Sequence, residues 1–324
     1  MVELAKLNGV EKVSQKFNVT PTVQQKLEDK IQESSEFLKK INIFVVPEQS
    51  GSAVGLGISR PIASRTNTDA TERQATDPTS MDERFYFCRK TDFDTAIKYA
   101  KLDQWAKFKD FYSRFRGAIV KRQALDRIMI GFNGTSIAAN TDITANPLLQ
   151  DVNKGWLQKM REENASRVMK SGAVLNKITI GTTGDYKNLD ALVMNIVDEM
   201  IDDVHQGNPD LVVMCNRKTV SDKYFPLVNK DQDNSEKLAA DIIISQKRMG
   251  GLPVYSVPFF PEGIIFVTTF DNLSIYVQEG ARRRTVIDNP KRDQIENYES
   301  SNEDYYIEDL GLACMAENIE IQPE

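Results

Sequence analysis

A helical pattern that runs from residue 93 to residue 131 constrains this chain more than any other feature of its sequence. Between residues 93 and 130 there is no proline, and the one glycine is Gly117. Large apolar residues recur at steps of three and four, at Trp105, Phe108, Tyr112, Phe115 and Ile119. This spacing predicts one long amphipathic helix of about 40 Å or more, whose aromatic stripe packs in the core. The following Gly-Phe-Asn-Gly, residues 131–134, is typical of the end of a helix.

The stretch before this helix, residues 43–92, has too few large apolar residues to form a core of its own. Strand-like runs lie at its two ends, Ile-Phe-Val-Val and Arg-Phe-Tyr-Phe-Cys, and small or polar residues dominate between them. The pattern predicts a long two-stranded excursion. Because a lone two-stranded ribbon is marginally stable in water, it has to lie on another surface. Gly55 and Gly57 lack the third glycine of a dinucleotide-binding loop.

The remaining segments predict an N-terminal arm and a mixed αβ region followed by strands. The arm, residues 1–42, contains a helix that begins at Thr20-Pro21, since proline suits a first helical turn. Its apolar face is thin, so the helix has to pack on the body or on a neighbouring subunit. The later predicted elements are a short helix around Trp156, a strand at 177–181, a helix at 188–204 capped by Asn188, a buried strand at 209–215, a helix that ends near Pro226, a helix that begins at Ser235, and strands from residue 252 onward.

The charge balance argues against nucleic-acid recognition and the hydropathy pattern argues against a membrane protein. There are 47 acidic and 41 basic residues, a net charge of −6, whereas proteins that grip nucleic acid usually carry the opposite excess. No apolar run approaches the roughly 20 residues of a membrane span. The first residues lack the apolar core of a signal peptide, so we expect the protein to stay in a cytoplasm.

Residues for common catalytic and metal sites are scarce. The three isolated cysteines fit neither a disulfide framework nor a zinc site. The single histidine, His205, is expected to close the 188–204 helix as a cation, which leaves little for triad or polyhistidine chemistry. Residues 231–242 resemble a calcium loop, but Glu236 and Ile242 occupy the positions that need glycine and glutamate. We therefore predict a structural protein without a catalytic site, cofactor or metal.

An acidic stretch near the C-terminus, residues 289–309, holds seven carboxylates and almost no aliphatic residues. Such a stretch is compatible with a catalytic surface, with a solvated tail, or with an edge that meets another copy of the chain. The residues alone leave these three interpretations open.

Several stretches closely resemble the major capsid proteins of P2-like temperate tailed phages. They are TERQATD (71–77), IVKRQALDRIMIGFNG (119–134), NPLLQDVNKGWLQK (146–159), DKYFPLVNKDQDNSEKLAADIIISQKRMGGLP (222–253), and NLSIY with NPKRDQIENYES (272–276 and 289–300). The resemblance implies an α+β, Hong Kong 97-like phage capsid fold with an N-arm, an extended E-loop hairpin, a long spine helix, a peripheral domain and an axial domain. The implied segments are the N-arm (1–42), the E-loop (43–92), the spine helix and first part of the peripheral domain (93–183), the axial domain (184–262) and the closing strands of the peripheral domain (263–324).

The resemblance also implies a function and a set of partners. The chain is expected to self-assemble into hexamers and pentamers of an icosahedral virion shell, built in the host bacterial cytoplasm. The shell would enclose phage double-stranded DNA without sequence-specific binding, and there is no membrane partner. A scaffolding protein, a portal protein and a maturation protease are the other expected partners. Some relatives weld their shells with lysine–asparagine bonds, but Lys90 is the only lysine between residues 45 and 90, so we expect non-covalent contacts.

Charged residues are the candidates for contacts between subunits. The acidic stretch is expected to form strands of the peripheral domain that present carboxylates to neighbouring subunits, with arginines as their partners. A solvent-facing acidic strand is the alternative. The candidates are Arg60, Arg65, Glu72, Arg73, Arg282, Arg283, Arg284, Glu296, Glu299 and Asp304. Two other functions stay open, an encapsulin-like compartment and an αβ enzyme with an unrecognised carboxylate site.

Overall fold

The computed structural model of the chain describes residues 17–18, 21–58, 63–70, 72–75, 79–105, 111–229 and 247–322. The helices in this part are α1 (Pro21–Glu33), α2 (Tyr99–Trp105), α3 (Phe111–Asn133), α4 (Trp156–Glu163), α5 (Leu189–Met200) and α6 (Arg217–Asn229). The strands are β1 (Phe17–Asn18), β2 (Asn42–Val46), β3 (Ser50–Ile58), β4 (Thr79–Phe87), β5 (Arg89–Asp92), β6 (Thr95–Lys98), β7 (Val168–Met169), β8 (Ile178–Ile180), β9 (Val212–Cys215), β10 (Arg248–Met249), β11 (Leu252–Ser256), β12 (Ile265–Thr268), β13 (Leu273–Gln278), β14 (Arg283–Asn289), β15 (Gln294–Ile307), β16 (Cys314–Ala316) and β17 (Ile319–Ile321).

The acidic stretch forms β15, the central strand of a seven-stranded sheet. This strand is 14 residues long and pairs antiparallel with β13, β14, β5 and β6. The sheet runs in the order β1-β14-β15-β13-β2, with β5 and β6 also on β15. The stretch is therefore neither a solvated tail nor an exposed edge, and most of its residues are buried.

A second sheet of six strands has the order β10-β11-β9-β12-β16-β7. All four residues of β9 are buried, as predicted for the run before residue 216. Helix α5 packs on this sheet through Leu192, Val193 and Ile196, in a core that also contains Ile265 and Cys314. The Asn188 side chain accepts a hydrogen bond of 2.8 Å from the Ala191 N–H, which confirms the predicted N-cap.

The core between the helices and the seven-stranded sheet centres on Trp156 in α4. Its ring lies edge-on to Phe132 at 5.1 Å and to Tyr305 at 5.3 Å, and its Nε1–H donates to the Ser274 carbonyl at 3.1 Å. Gly131 in α3 permits this approach, because a Cβ there would lie 2.2 Å from Trp156 Cζ3. The glycine was predicted as part of a helix end, and its packing role follows only from the structure.

The long helix differs from its prediction in extent and in the face it buries. Residues 95–98 form β6, the helical residues begin at Tyr99, and residues 106–110, with Phe108, lie outside the described residues. Within α3, Phe115 and Ile119 are only half-buried, while the buried residues come from the C-terminal half, such as Ala124 and Ile128. Among the described side chains, the buried face of α3 therefore lies in its C-terminal half, and Phe115 and Ile119 of the predicted aromatic stripe are not fully part of it.

The two-stranded ribbon is confirmed, and the Arg-Phe-Tyr-Phe run ends its second strand as predicted, but its first strand is not the one that the sequence indicated. It consists of β3 and β4, paired antiparallel from Ser50–Phe87 to Ile58–Thr79. The Ile-Phe-Val-Val run belongs to β2, which pairs parallel with β13 in the seven-stranded sheet. That run is apolar enough to join the main sheet, and the ribbon begins only after Pro47.

Three smaller predictions need correction or lie outside the described residues. Helix α5 ends at Met200, so His205 does not close it and instead pairs with Asp309 at 3.0 Å. Helix α6 continues past Pro226 to Asn229. The helix predicted to begin at Ser235 lies outside the described residues. Helix α1 begins at Pro21 as predicted and packs on the body of its own chain through Leu27 and Ile31.

Candidate assembly surface and buried ion-pair network

The base of the ribbon is pinned to the seven-stranded sheet by aromatic rings and a buried carboxylate. Tyr86 of β4 lies edge-on to Tyr276 at 5.1 Å, and Tyr276 stacks on Tyr306 at the same distance. The next residue, Phe87, donates its N–H to Asp304 Oδ2 at 3.0 Å. The ribbon therefore leaves the body from a fixed point, since each of these contacts is with a strand of the main sheet.

The opposite face of the ribbon base exposes aromatic side chains. Phe85 and Phe87 alternate with the buried Tyr86, and their exposed fractions are 71% and 41%. Phe44 on β2 is exposed to 47%. Phe85 and Phe87 lie on the same face of β4, and neighbouring exposed rings on a soluble protein mark a surface that meets a partner. This surface, Phe85 and Phe87, is called the ribbon-base surface below.

Beneath the sheet, Glu28 of α1 binds two buried arginines. Arg127 Nη1 lies 2.7 Å from Glu28 Oε2, and Arg282 Nη1 binds Glu28 Oε1. Burial alone would raise the pKa of Glu28, but the two guanidiniums hold this pKa below its ordinary value. The carboxylate therefore stays charged inside the protein and ties α1 to α3 and to the start of β14.

Glu303 and Glu299 of β15 complete this network. Arg127 makes a two-pronged contact with Glu303, through Nη2 at 2.6 Å and Nε at 3.1 Å, and the Ser301 hydroxyl donates to the same carboxylate. Arg282 approaches Glu299 Oε1 with Nη2 at 2.6 Å and Nε at 3.0 Å.

The remaining contacts of Glu299 complete its neutralisation. Gln123 of α3 donates to Glu299 Oε2 at 3.3 Å, and Arg284 Nε lies 3.9 Å from the same oxygen. Burial would raise the pKa of Glu299, and Arg282 and Arg284 lower it. Three carboxylates thus face three guanidiniums, so the network is close to neutral.

Asp304 forms a separate buried ion pair with Lys159 of α4. Lys159 Nζ lies 2.9 Å from both carboxylate oxygens. Burial raises the pKa of Asp304, and Lys159 opposes this shift only in part. Because the same carboxylate accepts the Phe87 N–H, this pair also supports the base of the ribbon.

The ten predicted contact residues divide into an internal and an external group. Arg282, Arg284, Glu299 and Asp304 are buried with partners in their own subunit, so their charges are neutralised without a neighbour. Glu296 accepts hydrogen bonds from Asn289, Gln294 and Tyr298, which lower its pKa. The exposed residues are Arg65, Glu72, Arg73 and Arg283, and Arg60 lies outside the described residues.

Sequence reasoning missed the partners on the helices, namely Glu28, Gln123, Arg127 and Lys159. Glu28 carried one usable signal, since it is adjacent to Leu27 and one turn before Ile31 on the face that α1 buries. Arg127 carried none, because its partners are 99 and 176 residues away in the sequence.

Two features of the described residues bear on other functions. They contain no group of three histidine, cysteine or carboxylate side chains that could hold a metal ion. No helix among them is long and apolar enough to cross a bilayer.

The sequence matches the family described as phage major capsid protein, P2 family, over residues 1–319. It is 48% identical to the capsid protein of Escherichia phage P2, over 98% of this chain and 92% of that protein. It is 41% identical to the major capsid protein of Serratia phage KSP20, over 99% of this chain and 94% of that protein.

Two solved structures place the fold. A chain of the satellite phage P4 procapsid, a structure that includes a size determination protein, matches with a TM-score of 0.85 and 45% identity, over 98% of this chain and 97% of that chain. An encapsulin complex from Synechococcus elongatus matches with a TM-score of 0.52 and 7% identity, over 100% of this chain and 98% of that chain. At that identity the second likeness shows the fold alone.

Proposed function

Because the chain belongs to the P2 family of phage major capsid proteins and forms a virion shell, we propose that its subunits associate as hexamers and pentamers of an icosahedral particle. The particle would enclose double-stranded DNA without sequence-specific contacts, in keeping with the net charge of −6. The architecture is α+β and Hong Kong 97-like, as expected from the sequence. The family match also favours a capsid over an encapsulin-like compartment and a structural role over a catalytic one.

The ribbon is the observation that carries this proposal. It is a two-stranded sheet whose base is held rigidly and displays exposed aromatic rings. We propose that the ribbon of one subunit lies across the next, so that the ribbon-base surface is covered in the shell. Many modest contacts of this kind become strong together when the shell closes.

Replacing Phe85 tests this surface. Phe85→Asp is expected to abolish particles, because a carboxylate would be buried against the neighbouring subunit. The matched control, Phe85→Leu, keeps an apolar side chain and should still form particles. Both subunits should unfold at the wild-type denaturant concentration, since the ring is mostly exposed. Electron microscopy counts the particles, and wild-type particle numbers from Phe85→Asp would contradict the proposal.

Arg73 is the charged residue that we propose for a contact between subunits. It lies exposed on the segment that joins β3 to β4, together with Arg65 and Glu72. Arg73→Glu should impair shell assembly and leave the subunit folded. A normal particle yield from this variant would refute the contact.

We further propose that the shell is held by non-covalent contacts. Lys90, the only lysine between residues 45 and 90, lies at the base of the ribbon and pairs with Asp92 at 2.8 Å. Denatured particles should therefore run as a single monomeric band on a gel, whereas a ladder of linked subunits would disprove this view.

The remaining proposals concern assembly partners. A scaffolding protein would guide procapsid formation in the host bacterial cytoplasm, a maturation protease would trim the shell, and a portal protein would admit the DNA. Expressing the chain with and without its scaffolding protein, followed by negative-stain microscopy, tests the first of these steps. Closed particles of uniform size only in the presence of the scaffold are the expected outcome.

A further inference from the structure

Strand β2 lies at an end of the seven-stranded sheet and pairs on one side only, with β13. The Val46 carbonyl accepts the Glu279 N–H at 2.8 Å, so the backbone of Val46 points toward β13. By the alternation of a parallel ladder, Phe44 and Asn42 point the same way. The N–H and C=O groups of Ile43 and Val45 therefore point outward. No hydrogen bond from another described residue reaches these four groups.

The usual protection of a strand edge is missing from β2. Soluble proteins shield exposed edges with lysine, proline, bulges or very short strands, because a bare apolar edge pairs with other chains. The sequence of β2, Asn-Ile-Phe-Val-Val, has no charge and no proline. Its one polar side chain, Asn42, donates to the Asp271 carbonyl at 2.7 Å. By contrast, β1, which pairs with β14, has only two residues and lies beside the arginines at 283 and 284.

We propose that the outer edge of β2 is a docking site for an extended strand of a second copy of this chain, which extends the seven-stranded sheet across the subunit boundary. The inference rests on the proposed function, because in a shell built from one polypeptide the surface next to a subunit is another copy. The edge also lies close to the base of the ribbon, since the Phe44 ring lies 6.0 Å from that of Tyr276, which also contacts Tyr86 of the ribbon.

The exposed groups of β2 indicate which kind of strand can pair with it. Ile43 and Val45 offer two donors and two acceptors to an incoming backbone, and Phe44 offers an exposed ring on one face. A segment without charge at the positions that meet Phe44 is therefore favoured. Main-chain hydrogen bonds would supply affinity and the aromatic contact would supply register, as in other cases of strand addition.

Hydrogen exchange of the wild-type chain gives the direct test. The amides of Ile43 and Val45 should exchange quickly in the unassembled subunit and roughly 100-fold more slowly in the finished shell. The Phe44 amide, which points toward β13, should be protected in both and serves as an internal control. Equal exchange of Ile43 and Val45 in subunit and shell would overturn the proposal. Protection that vanishes once the scaffolding protein has left would do the same, since it would assign the edge to the scaffold.

Val45→Pro gives the second test. Proline is tolerated on an edge strand whose N–H faces outward, so the subunit should keep its fold. Its ring would block the incoming strand, so particles should be lost, while Val45→Thr, which keeps the N–H, should assemble. Wild-type particle yield from Val45→Pro would overturn the proposal. That result would leave the shell-forming function intact, because the variant would still build shells. A proline variant that fails to fold leaves the exchange experiment to decide.

Discussion

Replacing Arg127 with methionine tests whether the buried network holds the subunit together. Arg127 has no exposed surface and bridges Glu28 and Glu303. Methionine replaces the aliphatic stem of the arginine without its guanidinium. Among the described residues, this leaves the buried Glu303 carboxylate with the Ser301 hydroxyl alone, while Glu28 keeps Arg282. Breaking a buried ion pair by removing one partner costs about 3–5 kcal/mol, because the other charge stays desolvated. We expect a loss of this size.

The assay is urea denaturation of the unassembled subunit at neutral pH. Arg122→Met on the same helix is the matched control, because Arg122 is 55% exposed and makes a surface pair with Asp126 at 2.8 Å. Exposed pairs of this kind contribute roughly 0.2–1 kcal/mol. Adding Glu303→Gln to Arg127→Met should recover part of the loss, since the stranded charge is gone. Equal effects of Arg127→Met and Arg122→Met would refute the reasoning.

Three further predictions concern acid, packing and thiols. The pKa of Glu28 is lowered in the folded state, so the ionised carboxylate stabilises the fold above its unfolded pKa, near 4.5. This contribution to stability disappears as the pH falls through the folded pKa. In Glu28→Gln the loss of stability below pH 4.5 should therefore be smaller, as measured by denaturation curves at several pH values. Gly131→Ala would push a methyl group into Trp156 and should lower the free energy of unfolding by about 1–3 kcal/mol in thermal melts. The control Gly117→Ala, where an added Cβ meets nothing within 4 Å, should leave this free energy unchanged or raise it by up to about 1 kcal/mol. Burial raises the pKa of the Cys88, Cys215 and Cys314 thiols to about 12, so iodoacetamide at pH 8 should label them only after unfolding, and rapid labelling of the native subunit would contradict their burial.

Local patterns predicted individual elements well where a short-range signal exists. Pro21 marks the start of α1, Asn188 caps α5, and the apolar run of β9 is buried on all sides. The ribbon was recognisable from what residues 43–92 lack, namely the apolar residues for a core. The position of its first strand was not, because β2 and the ribbon are both extended and only pairing partners distinguish them.

The acidic stretch shows why the candidate site was harder to predict. In a sequence, Glu299 and Glu303 look like surface residues, since charged side chains are rarely buried unless paired. Their partners come from α3 and from the residue before β14, and no local spacing brings those segments to β15. The prediction that the arginine run pairs with the acidic stretch is correct for Arg282 and Arg284, but both arginines pair with Glu299 of their own subunit.

This internal pairing changes which residues are free to join subunits. A central strand that carries Glu299, Glu303 and Asp304 is held in register by side chains that each need a particular partner, so a slipped strand would leave buried charges unpaired. The sheet is thereby fixed before any neighbour arrives. The groups that we propose for association, besides Arg73, are the exposed rings of Phe85 and Phe87 and the outward backbone groups of β2. A rigid, internally neutral sheet with an apolar, unsatisfied margin suits a subunit that has to fold alone and then be covered by copies of itself.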